Sequence, residues 1–268
     1  MSFYTSLNGL KNAQTDLGVI AHNIANVETN GFKKGRTEFA DIVVASASSN
    51  PRMTQGLGAR VEAISQNFSL GPIEQTGSAL DVAIGGDGFF TMRAPDGSTL
   101  YTRNGSFAID GNGFIHDGSD NRLQVFPTDA TGTVTSMTPG DAQIPPTNGG
   151  AEFAGISVGD NGLVVATYAD GSQLNVGTIS LASFIAPTGL KQLGSSNWES
   201  TGLSGPATYG IPNQGAYGAL MSGALERSNV DIAEELVGLI TAQRNFQANA
   251  KAIDTATQAS QAIMNLRT

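Results

Sequence analysis

Apolar positions at the two ends of this chain repeat with helical spacing, whereas those in its middle come in short alternating runs. At the start, Phe3, Leu7, Leu10, Gln14, Leu17, Ala21 and Ile24 follow a 4-3-4-3-4-3 spacing, which places them on one helix face as a heptad seam that only Gln14 breaks. Asn30-Gly31, tolerant of positive φ, is expected to end that helix. Near the other end, Asp231 reads as an N-cap with Glu234 and Glu235 in the first turn. From there Ile232, Leu236, Leu239, Gln243, Phe246, Ala250, Ile253, Thr257, Ser260 and Met264 continue the same spacing. Each helix has a second, partly apolar face, with Val19, Ile20 and Val27 on the first and Val237, Ile240 and Ile263 on the second. An ordinary amphipathic helix needs one such face; two ask for further partners.

Between the helices the pattern is that of hairpins. Phe89–Arg93 meets a turn at Ala94-Pro95-Asp96-Gly97, Leu100–Arg103 meets Asn104-Gly105, and Ser106–Ile109 meets Asp110-Gly111-Asn112-Gly113. A similar unit returns at Gly155–Val158, Gly159–Gly162, Leu163–Tyr168 and Ala169-Asp170-Gly171, then Gly177–Phe184. The likeness of 107–126 to 156–179 reads as a weak internal repeat, although hairpin chemistry alone produces much of it. Residues 128–150 read as a connector and 194–218 as a return region with long turns. Phe39, Ile42, Val43 and Val44, followed by a Ser/Asn/Gly-rich run from Ala45 to Gly58, leave strand, hairpin and ordered loop all open for 32–75.

Composition draws the same borders. All 10 prolines lie between Pro51 and Pro212, and 29 of the 34 glycines lie in 51–224, so both ends are nearly free of helix breakers. The fold class expected is α+β: a mainly β central domain of antiparallel hairpins, barrel- or sandwich-like, with N- and C-terminal helices pairing as a coiled coil. The expected division is 1–31 with 228–268 as the terminal-helix domain, 32–75 as an extended connector and 76–227 as a β-rich outer domain.

The formal charge is −9, with 14 basic and 23 acidic residues and no basic cluster, which disfavours nucleic acid and anionic membrane as partners. No apolar run approaches the length of a bilayer span, and the start lacks the pattern of a cleaved secretory signal. With no cysteine, disulfides and thiolate chemistry are absent.

Catalytic chemistry finds little purchase. His22 and His116 have no metal or triad partner at a helpful spacing. The aspartates sit in Asp-Gly turns, where the carboxylate accepts backbone N–H bonds. Gly85-Gly86-Asp87-Gly88 resembles a calcium loop but occurs once, and no Gly-rich phosphate loop opens a helix. Acids are plentiful, yet no two are marked as a glycosidase pair. No cofactor, metal or catalytic residue is expected.

Three stretches carry a resemblance. Ile20–Lys33, reading IAHNIANVETNGFK, resembles the N-terminal signature of bacterial flagellar rod and hook proteins, carried by Asn23, Asn26, Thr29, Gly31, Phe32 and Lys33. Asp81–Ile84 with Gly88-Phe89-Phe90, and Tyr101–Phe107, resemble the central β motif of that family. Ser228–Asp231, Glu234–Val237 and Ala242–Lys251 resemble its C-terminal signature, with Asn229, Val230, Glu235, Gln243 and Arg244. The matches fall in the same order along nearly the whole chain.

The resemblance implies a structural protein, not an enzyme. It implies a helical homopolymer whose terminal helices form an inner coiled coil while the β domain forms the outer wall. It also implies a place in the flagellar hook or basal body, export by the flagellar type III apparatus without a cleaved signal, and neighbours among the rod, hook-cap and hook–filament junction proteins. The residues expected to carry assembly are Phe3, Leu7, Leu10, Leu17, Ile24, Ile232, Leu236, Leu239, Phe246 and Ile253. Met1-Ser2-Phe3 and Gln258–Arg267, together with Ala242–Phe246, look more like hook protein, whereas the length, with no room for a further outer domain, suits a distal rod subunit. The reading adopted from sequence is a short hook protein, with the distal rod as alternative. A rival from another class is a secreted β-rich enzyme or carbohydrate-binding module with helical extensions, which predicts a pocket of converging polar groups.

Overall fold

The computed structural model describes residues 2–43 and 56–265, apart from the side chains of Ser2 and Ile263. Val44, most of the Ser/Asn/Gly-rich run and Leu266–Thr268 lie outside the described residues. The chain divides into two compact units: 1–27, 34–67 and 230–268 form the first, 28–33 and 68–229 the second. The class is α+β, as expected, with two terminal helices flanking a mainly antiparallel β domain.

In the first unit, α1 (Ser2–Ala25) and α2 (Ile232–Asn265) run antiparallel, since Gly9 meets Asn249 while Ile20 meets Gly238. The Asp231 carboxylate caps α2 by accepting the N–H groups of Ala233 at 2.8 Å and Glu234 at 3.2 Å, satisfying two of the donors a helix start leaves unpaired. The end of α1 differs from expectation. Asn26, not Asn30-Gly31, closes it: its N–H reaches the carbonyls of His22 and Asn23, and its side-chain amide donates to the His22 carbonyl at 2.9 Å.

Residues left open by sequence form a hairpin. Strand β1 (Gly35–Val43) pairs antiparallel with β2 (Gly56–Gln66), from Gly35 opposite Gln66 to Ile42 opposite Gly58, with a register shift at Glu38/Phe39. The hairpin lies along α1, where Asn12 donates to the Ala59 carbonyl at 2.8 Å. Phe39, Val43 and Ile64 remain exposed.

The second unit holds two short two-stranded ribbons. Strand β3 (Ile73–Gln75) pairs with Ala224–Glu226, and β4 (Val82–Gly85) pairs with Ala219–Ser222. Beside them is a branched sheet of fourteen strands among the described residues. Strands β5 (Phe89–Arg93) and β6 (Thr99–Thr102) form the first expected hairpin, its turn closed by Ala94 N–H to Ser98 at 2.9 Å, with Gly97 at φ +88°. The second expected hairpin does not form. After Asn104-Gly105 the chain leaves β6, which pairs instead with Asn197–Glu199. Gly105 lies so close to β4 that a Cβ there would stand 1.7 Å from the Val82 carbonyl oxygen. Tertiary contact, not turn chemistry, selects glycine at that point.

The Asp110–Gly113 turn does join Ala108–Ile109 to Ile115–His116, its carboxylate accepting from Asn112 and Phe114, each at 2.8 Å. The meander Ala151–Val158, Leu163–Tyr168 and Gln173–Ile179 also forms as read. The two stretches read as a repeat end side by side, with Val125 opposite Ile179 and Phe126 opposite Thr178. One aliphatic core includes Val82, Ile84, Phe90, Met92, Leu123 and Val164. A smaller aromatic one gathers Phe89, Tyr101, Phe184 and Trp198, with rings in edge-to-face contact.

Candidate functional site

The site of interest in the first unit is the helix pair. Where α1 and α2 touch most closely, the contacts are made mainly by small and polar residues, together with Ile20, which meets Gly238. Ala13, Ile20, Asn23, Glu235 and Ala242 are buried, and a Cβ on Gly9 would stand 2.4 Å from the Asn249 carboxamide. Glu235, Ala242 and Asn249 recur every seven residues, so the seam has heptad spacing but not heptad greasiness. An apolar pattern search passes over it; small-residue spacing is the signal that would have found it.

Asn23 is the polar centre of this seam. Its Nδ2 donates to the Gly35 carbonyl at 2.9 Å and to Glu235 Oε2 at 3.1 Å, while its Oδ1 accepts the Gly35 N–H at 2.9 Å. One amide thus ties the end of α1 to the first residue of β1 and to the first turn of α2. Lys34 adds ion pairs to Glu234 at 2.8 Å and Glu235 at 3.5 Å. Partial burial pulls the Lys34 ammonium down, but the hydrogen bond and charge of Glu234, with Glu235 behind them, outweigh it and leave its pKa raised.

The residues expected to carry assembly lie mostly beside this seam. Leu7, Leu10, Leu17, Ile24, Leu239, Phe246 and Ile253 are half-buried, and Phe3 is exposed. Ile232, Leu236, Val237 and Ile240 lie between 46% and 66% exposed, and their spacing sets them on one side of the first turns of α2. Gln14, Gln243 and Arg244 are exposed, and Val230 is buried.

In the second unit, the signature loop 28–33 is built into the β domain. Gly31, at φ +67°, donates to the Glu226 carbonyl at 2.8 Å, and a Cβ there would lie 2.5 Å from the Asn104 nitrogen. Phe32 and Lys33 are buried. Lys33 Nζ donates to Glu226 Oε1 at 2.5 Å and to the Ser69 carbonyl at 2.7 Å. Glu226 also accepts the Gly71 N–H at 2.9 Å and meets Arg103 Nη1 at 3.4 Å. Burial draws the pKa values of Lys33 and Arg103 down, against the attraction of Glu226. Arg227 bonds the Asn30 side chain at 3.2 Å, Glu74 at 3.0 Å and Glu28. Asn229 donates to the Ser69 carbonyl and hydroxyl at 3.2 and 3.1 Å. Sequence reasoning missed Glu226, although a carboxylate closing the short strand Ala224–Glu226 asks for a cation.

Among the described residues, no group of three or more His, Cys, Asp or Glu is gathered to hold a metal, and no helix is long and apolar enough to cross a membrane. The asparagines and the lysine of the signature are spent on holding backbone and carboxylates in place. Paired terminal helices with a signature loop pinned into a β domain are an arrangement that serves structure and presents no catalytic constellation among the described residues.

The comparisons with known proteins agree. Residues 3–33 match the family described as "Flagella basal body rod protein", 83–166 the "Flagellar hook protein FlgE/F/G D1 domain", and 221–266 the "Flagellar basal body rod FlgEFG protein C-terminal". The chain is 36% identical over 278 aligned positions to the flagellar basal-body rod protein FlgG of Bacillus subtilis, covering 99% of this chain and 98% of that one. It is 35% identical over 268 positions to the FlgG of Borreliella burgdorferi, covering 95% and 94%. With the flagellar hook protein FlgE of Escherichia coli it is 27% identical over 409 positions that cover both chains fully. The chain belongs to the family of bacterial flagellar rod and hook proteins, which are structural components of the flagellum and not a family of enzymes.

Proposed function

We propose that this chain is a distal rod subunit of the flagellum, a passive torque-transmitting element that polymerises with copies of itself through its terminal helices. The observation that carries the rod over the hook is length. Alignments to rod proteins run over 278 and 268 positions against 268 residues here, whereas the alignment to a hook protein opens to 409. The hook alignment therefore opens far wider gaps in this chain than the rod alignments do. The hook-like chain ends, Met1-Ser2-Phe3 and Gln258–Arg267, keep a short hook protein as the second reading.

What supports assembly through the helices is the apolar side of α2 at Ile232, Leu236, Val237 and Ile240, beyond what α1 covers in the single chain. Burial of that side against neighbours, at about 25 cal/mol per Å², gives each copy a gain repeated around the lattice. Phe3, Leu7, Leu10, Leu17 and Ile24 on α1, with Leu239, Phe246 and Ile253 on α2, complete the proposed interface. The remaining expected partners are the neighbouring axial proteins and the type III export apparatus. Electron microscopy of the polymerised protein tests the reading: straight tubes are expected, and curved, supercoiled tubes would return the chain to the hook.

A further inference from the structure

The second unit carries two apolar features that do not meet within one molecule. At one end of the hydrogen-bonded strand order, Lys191–Gly194 is the terminal strand, paired among the described residues only with Asn197–Glu199. The segments leading into and out of that hairpin present Ile185, 89% exposed, and Leu203, 83% exposed. Their backbones are adjacent, with Ala186 N–H bonded to the Ser204 carbonyl at 3.4 Å, so the two side chains stand on neighbouring turns. Aliphatic side chains this exposed, carried on neighbouring, hydrogen-bonded segments, have no part in the fold that displays them.

At the other end of the strand order, Thr147–Asn148 is the terminal strand. Beside it an open apolar groove of about 390 Å³ runs between Ile109, Ile144, Pro145, Pro146 and Phe153. Tyr168 braces it by donating to the Pro145 carbonyl at 2.9 Å and packing edge-on against Phe153. Its rim carries two carboxylates, Asp110 and Glu152, and no cation. The one cation between Phe184 and Ser204 is Lys191, on the terminal strand beside the knob. Its ammonium is mostly exposed and holds Glu199 at 3.3 Å.

We propose that the Ile185/Leu203 knob of one copy of this chain seats in the Ile144–Phe153 groove of the next, with Lys191 facing the acidic rim. This rests on the polymer reading above and adds to it a second interface, made by the β domain. Knob and groove are different patches, so the contact is heterologous: it propagates head to tail and gives a ring or an open helix, whereas a self-complementary patch stops at a dimer. Shape and charge agree on this occupant, because the groove accepts aliphatic bulk and its rim accepts a cation.

The absence of cysteine makes the test direct. Full-length Ile185→Cys and Phe153→Cys chains are prepared separately, polymerised alone and mixed, and oxidised. Both positions are at least partly exposed, so neither variant depends on a buried site for folding. The expected result is a disulfide-linked dimer in the mixture and none in either variant alone, since only contacting side chains meet disulfide geometry. Tubes that form but yield no mixed dimer, or yield dimers of one variant alone, overturn the knob-and-groove contact and leave the helix-built polymer standing. Unsubstituted chains that stay monomeric overturn both. Leu203→Asp gives a second readout: monomer melting unchanged, and the concentration needed for polymerisation raised about tenfold, for the loss of one buried aliphatic contact. An unchanged polymerisation threshold counts against the contact.

Discussion

Lys33 and Glu226, 193 residues apart, meet at 2.5 Å with neither side chain exposed to solvent. Arg103 shares the same carboxylate, so two cations depend on one anion inside the β domain. Removing the shared carboxylate leaves both buried cations without it, whereas removing Lys33 leaves Glu226 paired with Arg103.

Glu226→Ala is therefore expected to destabilise the second unit by about 3–5 kcal/mol, read as a lower urea midpoint. Lys33→Met, which removes a cation and keeps the bulk, is expected to cost much less than Glu226→Ala. Equal losses for the two substitutions would show that packing, not charge, holds the loop.

Asn23→Ala removes the side-chain partner of both the Gly35 N–H and its carbonyl and leaves Glu235 to its ion pair with Lys34. A loss of about 1–3 kcal/mol is expected in the first unit. Asn23→Asp sets a carboxylate against Glu235, so its defect should be larger at pH 7 and shrink on acidification towards pH 4. Amide exchange of α1 measures both; a pH-independent defect in the Asp variant would contradict this account.

Leu236→Asp changes a side chain that is half exposed in the single chain. Monomer stability should move by less than about 0.5 kcal/mol, as for surface substitutions generally, while sedimentation should show polymerisation lost. Normal tubes from this variant would remove the apolar side of α2 from the interface.

Gly31→Ala combines a backbone angle of +67° with a Cβ that would stand 2.5 Å from the Asn104 nitrogen. Strain and clash together should cost more than the roughly 1 kcal/mol typical of a positive-φ site alone. Thermal melting is the measure, and a neutral substitution would show that the loop shifts freely.

Asp96, Asp110, Asp129 and Asp170 accept side-chain or backbone hydrogen bonds within their turns, which hold their pKa values below the usual carboxylate value. A depressed carboxylate stabilises the folded state fully above the unfolded-chain value, near pH 4, and that contribution is lost as pH falls through the folded-state values. Melting temperature should be level from pH 7 to about pH 5 and decline below pH 4. Asp110→Asn should flatten that decline slightly; a steeper decline would reverse the sign of the effect.

Local rules were legible wherever the local contact was the whole contact. Asp231 caps α2 and Asp110 closes its hairpin as their side-chain chemistry requires. Asn104-Gly105 has the composition of a hairpin turn yet serves the approach of Val82, a residue more than twenty positions earlier that no dipeptide rule can see. The close-contact seam within the helix pair was hidden for a similar reason. Leucines and isoleucines dominate an apolar count, but close approach of two helices favours Gly9, Ala13 and Ala242, which count for little. The β1–β2 hairpin was hidden because its outward residues, Phe39, Val43 and Ile64, are apolar and spoil the inside-outside alternation.

The first unit is assembled from the beginning, an early stretch and the final part of the polypeptide. During synthesis α1 therefore emerges long before the segment that will become α2, and more than two hundred residues separate the two appearances. Until translation reaches Ile232, the earliest helix has only the β1–β2 hairpin to lean on, and the helix partner that supplies the rest of its tertiary support is still missing. The β domain can mature in that interval, so the chain passes through a stage with a finished body and an unclosed clasp.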